Sequence, residues 1–124
     1  MTNREIVEKY LGDYNRKDIA AMLLNFADEA IFESVSNTAG SIRTNNKKEL
    51  ADLATRSVEY FSERKQSVRR WIISGDQVAI EVDYWCNLAK DFPNGKKAGE
   101  EMTLRGVSFF TIKDGFITEL IDFM

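Results

Sequence analysis

Gln77-Val78-Ala79-Ile80-Glu81-Val82-Asp83-Tyr84-Trp85-Cys86 is the stretch that decides the fold, because its side chains alternate with a period of two. Val78, Ile80, Val82, Tyr84 and Cys86 share one side of a strand; Glu81, Asp83 and Trp85 share the other. Met102-Thr103-Leu104-Arg105-Gly106-Val107-Ser108-Phe109-Phe110 repeats the pattern. Strands are expected near Lys65 to Ile73, Gln77 to Asp91, Ala98 to Ile112 and Phe116 to Phe123, joined as a meander by Ser74-Gly75-Asp76, Pro93-Asn94-Gly95 and Lys113-Asp114-Gly115. The last two turns suit a three-residue loop with a left-handed glycine in third position.

Upstream of Glu63 the period is helical. Apolar stripes run through Ile6, Val7, Tyr10, Leu11 and Tyr14, through Ile19, Met22, Leu23 and Phe26, and through Leu50, Leu53, Ala54, Val58 and Phe61. Thr2-Asn3-Arg4-Glu5 has the spacing of a capping box, so the first helix starts there. Gly12 suggests a close backbone approach or a tolerated defect. Asn15-Arg16-Lys17-Asp18 turns the chain, and Asp18 caps a short second helix. Ala30 to Val35 reads as a first strand, Ser36 to Asn46 as a loop or ragged hairpin, and about Lys47 to Phe61 as the third helix. Helices followed by strands imply an α+β domain in which helices cover one face of an antiparallel sheet, leaving a cleft between the layers.

Three-residue loops set a register that charge can test. In that register Arg69 faces Glu81 and Asp83 faces Arg105, whereas two-residue loops mismatch them. The inner face then carries Val78, Ile80, Val82, Tyr84, Cys86, Met102, Leu104, Gly106, Ser108, Phe110, Thr118, Leu120 and Asp122. Arg69, Trp71, Glu81, Asp83, Trp85, Thr103, Arg105, Val107, Phe109, Ile121 and Phe123 point outward, a face aromatic enough that a homodimer would cover it. The flipped register stays open as an alternative; it would turn Glu81, Asp83 and Trp85 inward as a two-carboxylate site.

Length and composition bound the rest. The 124 residues make one domain, 1–124, with 17 basic and 20 acidic side chains and a net charge of -3. The basic pairs are scattered, so nucleic acid is not an expected partner, and no apolar run reaches the roughly 20 residues of a membrane span. A single cysteine and the lack of a leader-like segment point to the cytoplasm. Without histidine there is no Ser-His-Asp relay, Cys-His pair or histidine-bound zinc, so acid-base work falls to carboxylates, tyrosines or lysines. No cofactor and no metal is expected, and Cys86 reads as a small core residue.

Tyr10, Asn15, Asp18, Phe26-Ala27-Asp28-Glu29-Ala30, Ile31-Phe32-Glu33-Ser34, Gly75-Asp76-Gln77-Val78 and Lys113-Asp114-Gly115-Phe116-Ile117 together resemble the nuclear transport factor 2-like superfamily and its SnoaL-like branch. The resemblance implies a cone-shaped fold of three N-terminal helices on a curved sheet, with an apolar pocket between them. It carries function over only in part. The ketosteroid isomerase set of tyrosine, carboxylate base and carboxylic acid falls on Tyr10, Ser34 and Ser108. The limonene epoxide hydrolase set falls on Tyr84, Val82 and Asp122, and the single acid with aromatic neighbours of SnoaL-like cyclases on Asp122, Tyr10 and Tyr84.

Asp122 and Tyr10 are therefore the candidate catalytic residues. Asp122 lies on an apolar inner face, opposite Gly106 in this register, where burial would raise its pKa. Tyr10, Tyr14, Phe32, Ser34, Val82, Tyr84, Cys86, Met102, Leu104, Ser108, Phe110, Leu120 and Asp122 are the candidate ligand-binding residues. The expected partner is a small, largely apolar molecule. A cofactor-independent isomerase, cyclase or dehydratase and a protein-interaction module are the alternatives.

Overall fold

The computed structural model describes residues 1–38 and 40–124. In chain order the elements are α1 (Asn3–Asn15), α2 (Ile19–Leu23), β1 (Phe26–Ser36), β2 (Gly40–Thr44), α3 (Lys47–Val58), β3 (Phe61–Ser74), β4 (Gln77–Leu88), β5 (Glu101–Lys113) and β6 (Phe116–Phe123). Three helices lie on one face of a curved six-stranded sheet of order β2-β1-β6-β5-β4-β3. The last four strands form the expected meander. β1 departs from the antiparallel pattern: it pairs parallel with β6, and the β1–β2 hairpin extends the sheet beyond it.

Each helix starts where its cap dictates. The Thr2 hydroxyl accepts from the Glu5 N–H while the Glu5 carboxylate accepts from the Thr2 N–H, the reciprocal capping box. Asp18 and Asn46 cap α2 and α3 through Ala21 N–H and Glu49 N–H. Several element bounds differ from the sequence reading. β1 begins at Phe26 rather than Ala30, and much of Ser36 to Asn46 is strand β2; Ala39 in that segment lies outside the described residues. The third helix ends at Val58, and Phe61 opens β3. Beside Gly12 an added Cβ would meet only the Arg16 side chain, so the defect is tolerated and no backbone approaches.

The β4–β5 register matches the sequence reading throughout, with Val82 opposite Gly106 and Asp83 opposite Arg105. The β3–β4 and β5–β6 loops do not. Ser74 pairs with Gln77 and Lys113 with Phe116, so both are two-residue turns; Asp114 and Gly115, at φ 52° and 82°, give the primed geometry that suits strand twist. A bulge at Arg69 in β3 and another at Thr118 in β6 then shift each ladder by one residue. A two-residue turn plus a bulge preserves the alternation a three-residue loop would give. Hence Asp122 keeps its inward side but faces Ser108 rather than Gly106, Ile117 replaces Thr118 in the core, and Trp71 turns inward under the Arg4 guanidinium.

The outer charges pair diagonally. Arg69 binds Asp83 and Arg105 binds Glu81, each at 2.9 Å, with Arg70 3.9 Å from Glu81. Glu81 and Asp83 are on the outer side, so the flipped register is excluded.

Asp13 is buried on α1 and accepts from Lys9, Arg16 and Asn25. Burial pushes its pKa up, but the bonds from Lys9 and Asn25 and the charges of Lys9 and Arg16 prevail and hold it below the usual carboxylate range. α1 is thereby joined through one carboxylate to Asn25, which follows α2 and also donates to the Met22 carbonyl.

Gly106 has a packing reason. A Cβ there would collide with the Phe123 carbonyl and the Met124 side chain, which cross over it. Gly106→Ala is expected to cost about 1–3 kcal/mol in urea unfolding, because the displaced atoms include backbone.

Candidate functional site

The buried side chains fall into two clusters. One joins α1, α2, α3 and the inner face around Ile6, Tyr10, Phe26, Ile80, Phe110 and Leu120; the other is Tyr84, Cys86 and Leu88 with Phe61, Phe92 and Met102 against it, and Tyr14 packs on both. Between them lies a cavity of about 300 Å³. Its lining is chiefly apolar, and the exposed lining residues Ile42, Leu104 and Met124 mark its rim. α3 contributes Leu50, Leu53, Ala54 and Ser57, one helical stripe.

At one end stands Asp122. The register sets it between Ser34 of β1 and Ser108 of β5, and the Ser108 hydroxyl donates to its Oδ1 at 2.6 Å. The carboxyl lines the cavity, and desolvation raises its pKa to about 6 against the opposing Ser108 bond. Asp122 thus exchanges its proton close to neutral pH.

Tyrosines line the middle. Tyr10 and Tyr14, one turn apart on α1, have ring centroids 6.1 Å apart, and Tyr10 meets Phe26 and Phe110 edge-on at 5.6 Å. The Tyr14 and Tyr84 hydroxyls share a hydrogen bond of 2.8 Å. Burial pushes the pKa of all three well up or up, with the Asp122 charge adding to Tyr10 and the Arg64 charge opposing. They therefore stay protonated, as hydroxyl donors, across the neutral range.

Arg64 and Gln66 on β3 stand at the other end. Arg64 Nε–H donates to the Tyr14 carbonyl at 2.9 Å, and its guanidinium carbon lies 3.6 Å from the Tyr14 ring centroid. The Gln66 main chain is clamped by the Asn15 side chain, which accepts its N–H at 2.8 Å and donates to its carbonyl at 3.2 Å.

Of the residues singled out from sequence, Tyr10, Tyr14, Phe32, Ser34, Tyr84, Met102, Leu104, Leu120 and Asp122 come together on the cavity wall. Val82, Cys86, Ser108 and Phe110 do not: they are fully buried behind it, and Ser108 reaches the site only through Asp122. Burial also raises the Cys86 thiol pKa. The sequence reading missed Arg64, Gln66 and Phe92. The first two sit in the polar run Glu63-Arg64-Lys65-Gln66-Ser67, which resembles a solvated strand; yet pairing Gln66 with Tyr84 and Arg64 with Cys86 follows from the register already used. Phe92, in the β4–β5 connection, packs on Tyr60 and Phe61.

A family model described as SnoaL-like domain matches residues 7–120. A search of the curated proteins gives no significant match. Among solved structures, IdmH of Streptomyces antibioticus, a proposed polyketide cyclase, is 15% identical at TM-score 0.81, covering 98% of this chain and 91% of that one. A proposed polyketide cyclase of Xanthomonas campestris pv. campestris is 21% identical at TM-score 0.74, covering 98% and 88%. A protein of ketosteroid isomerase-like fold from Catenulispora acidiphila, in complex with trimethylamine, is 16% identical at TM-score 0.80, covering 99% and 87%. At these identities the likeness is one of fold.

A raised carboxyl pKa means that the folded state favours the protonated acid. The stability held below the ordinary aspartate pKa is therefore lost as pH rises from about 4 through about 6. Asp122→Asn, which has no proton to lose, should flatten this slope. In urea titrations it should gain on the wild type by on the order of 2 kcal/mol at pH 8 and show little difference at pH 4.

Proposed function

The chain belongs to the SnoaL-like domain family, and from that premise we propose that it binds a small, largely apolar molecule in the cavity between helices and sheet. The observation carrying this reading is the cavity: about 300 Å³, at the lower end of the range for small-molecule sites, walled by apolar and aromatic side chains with a few polar groups converging on it. Tyr10, Tyr84 and Asp122 supply polar contacts among them. The interior stays open where Phe26, Phe32 and Phe110 could have filled it, which favours a ligand site over a module that acts only through its surface.

A second reading has its own support in the near-neutral acid beside neutral tyrosines. In a cofactor-independent isomerase, cyclase or dehydratase, ionised Asp122 takes a proton from carbon next to a carbonyl. Tyr10 O–H donates to the oxyanion that forms, and the protonated acid returns the proton elsewhere on the substrate. The proposed cyclases among the structural neighbours agree with this class.

We further propose that the outer sheet face pairs two copies in solution in the cytoplasm. Phe109 and Phe123 meet edge-on there, 48% and 41% exposed, beside the alternating charges of Arg69, Asp83, Glu81 and Arg105. Such a patch is self-complementary across a two-fold axis.

2-Tetralone, an enolisable two-ring ketone, tests binding and chemistry together. Calorimetry should show saturable binding weakened at least about tenfold by Ala54→Phe, which fills the cavity. NMR should show deuterium exchange at its α-carbon speeding up as pH rises through about 6, lost in Asp122→Asn and kept in Tyr14→Phe. Binding without exchange retires the second reading, and no binding retires both. Trp85→Lys should halve the mass seen by light scattering; a monomeric wild type would refute the dimer.

A further inference from the structure

Arg64 and Gln66 are each only 5% exposed, yet Arg64 Nη2 and Gln66 Oε1 have no hydrogen-bond partner among the described residues. Both side chains line the cavity. Arg64 makes no ion pair among the described residues; its Nε is spent on the Tyr14 carbonyl and its face on the Tyr14 ring. A buried guanidinium without a counter-charge, next to a buried amide oxygen without a donor, is an unbalanced pair of groups. Neither can swing away freely, since the Tyr14 contacts hold Arg64 and Asn15 clamps the main chain of Gln66 on both sides.

We propose that Arg64 and Gln66 form the head-group subsite of the cavity, taking a ligand that carries a carboxylate with an adjacent hydroxyl on an apolar body. This rests on the ligand-binding reading above and specifies its substrate class. The chemistry assigns each partner: the Arg64 guanidinium donates to a carboxylate oxygen in a charge-assisted bond, and the Gln66 side-chain amide takes the hydroxyl. An anion also supplies the charge the guanidinium lacks, which a neutral carbonyl would not. Arg64 and Gln66 are two residues apart on β3, hence on one side of the strand and about 7 Å apart along it, a span that two neighbouring ligand oxygens bridge with side-chain reach. The Asp122 carboxylate at the far end would repel a second anion, so the ligand has one orientation, its uncharged end toward Asp122.

The test uses 3-hydroxy-2-naphthoate, its methyl ester and 2-naphthoate, titrated calorimetrically into the full chain at pH 7.5. The hydroxy acid should bind at least about tenfold tighter than the ester, the scale of a charge-assisted hydrogen bond. In Arg64→Met the two affinities should converge, and Gln66→Leu should weaken the hydroxy acid relative to 2-naphthoate. Equal affinities of acid and ester on the wild type would overturn the subsite while leaving the ligand pocket standing; failure of all three to bind where 2-tetralone binds would also overturn the subsite alone, and failure of 2-tetralone as well would overturn both. The wild-type comparison decides even if Arg64→Met does not fold.

Discussion

The tie between the end of α1 and the start of β3 is the constraint on which the rest of the molecule depends. A helix ends with carbonyls that have no partner inside it, and here Arg64 Nε–H takes one of them, that of Tyr14. Asn15 bonds both main-chain groups of Gln66, and the Lys17 ammonium reaches the Phe61 and Ser62 carbonyls. At the other end, Asn3 donates to the Gly75 carbonyl in the β3–β4 turn. Pinned at both ends, α1 can only lay Tyr10 and Tyr14 against the inner face of the sheet. The space that remains is decided by side chains, not by a loose fit between layers.

That space has a cost. Protein interiors pack to crystal-like density, and the walls of an unfilled volume forgo dispersion contacts. The chain keeps it with two unlike polar ends, Asp122 at one and Arg64 with Gln66 at the other, and three tyrosines between. Burial moves the Asp122 carboxyl toward its neutral form, and the Arg64 guanidinium is held against an aromatic face and a carbonyl. A uniformly apolar molecule would satisfy the walls and neither end.

Much of this was legible in the sequence, for reasons that also explain the failures. The alternation of Val78 to Cys86 and of Met102 to Phe110, with Asp83 set against Arg105, favours one register over its flipped alternative, and that register puts Tyr84 and Asp122 on the side where they lie. The Thr2-to-Glu5 box is local and reads directly. The bulges at Arg69 and Thr118 are invisible because a short turn plus a bulge restores side-chain parity beyond the bulge; only the residues between turn and bulge, Trp71 and Ile117 among them, change sides, and Asp122 moves to the row of Ser108. Parallel pairing of β1 with β6 joins segments about ninety residues apart, and no local pattern encodes it. Arg64 and Gln66 are hidden by their polarity, which ordinarily marks an exposed strand, whereas a lined cavity is a place where polar strand residues belong.

The bulge at Arg69 bears on how the molecule behaves when crowded. β3 is a 14-residue border strand, and its outer main-chain groups are a template on which another chain could grow a ladder. The extra residue, Arg69, breaks that template midway, and with Lys65 and Arg70 on the same strand it presents like charges that repel a matching strand. Beyond the break the guard lapses: Ile72 and Ile73 are 61% and 47% exposed beside the turn. Unwanted fibril-like growth, if forced by heat or concentration, would begin at that apolar tip and stall at the cationic kink.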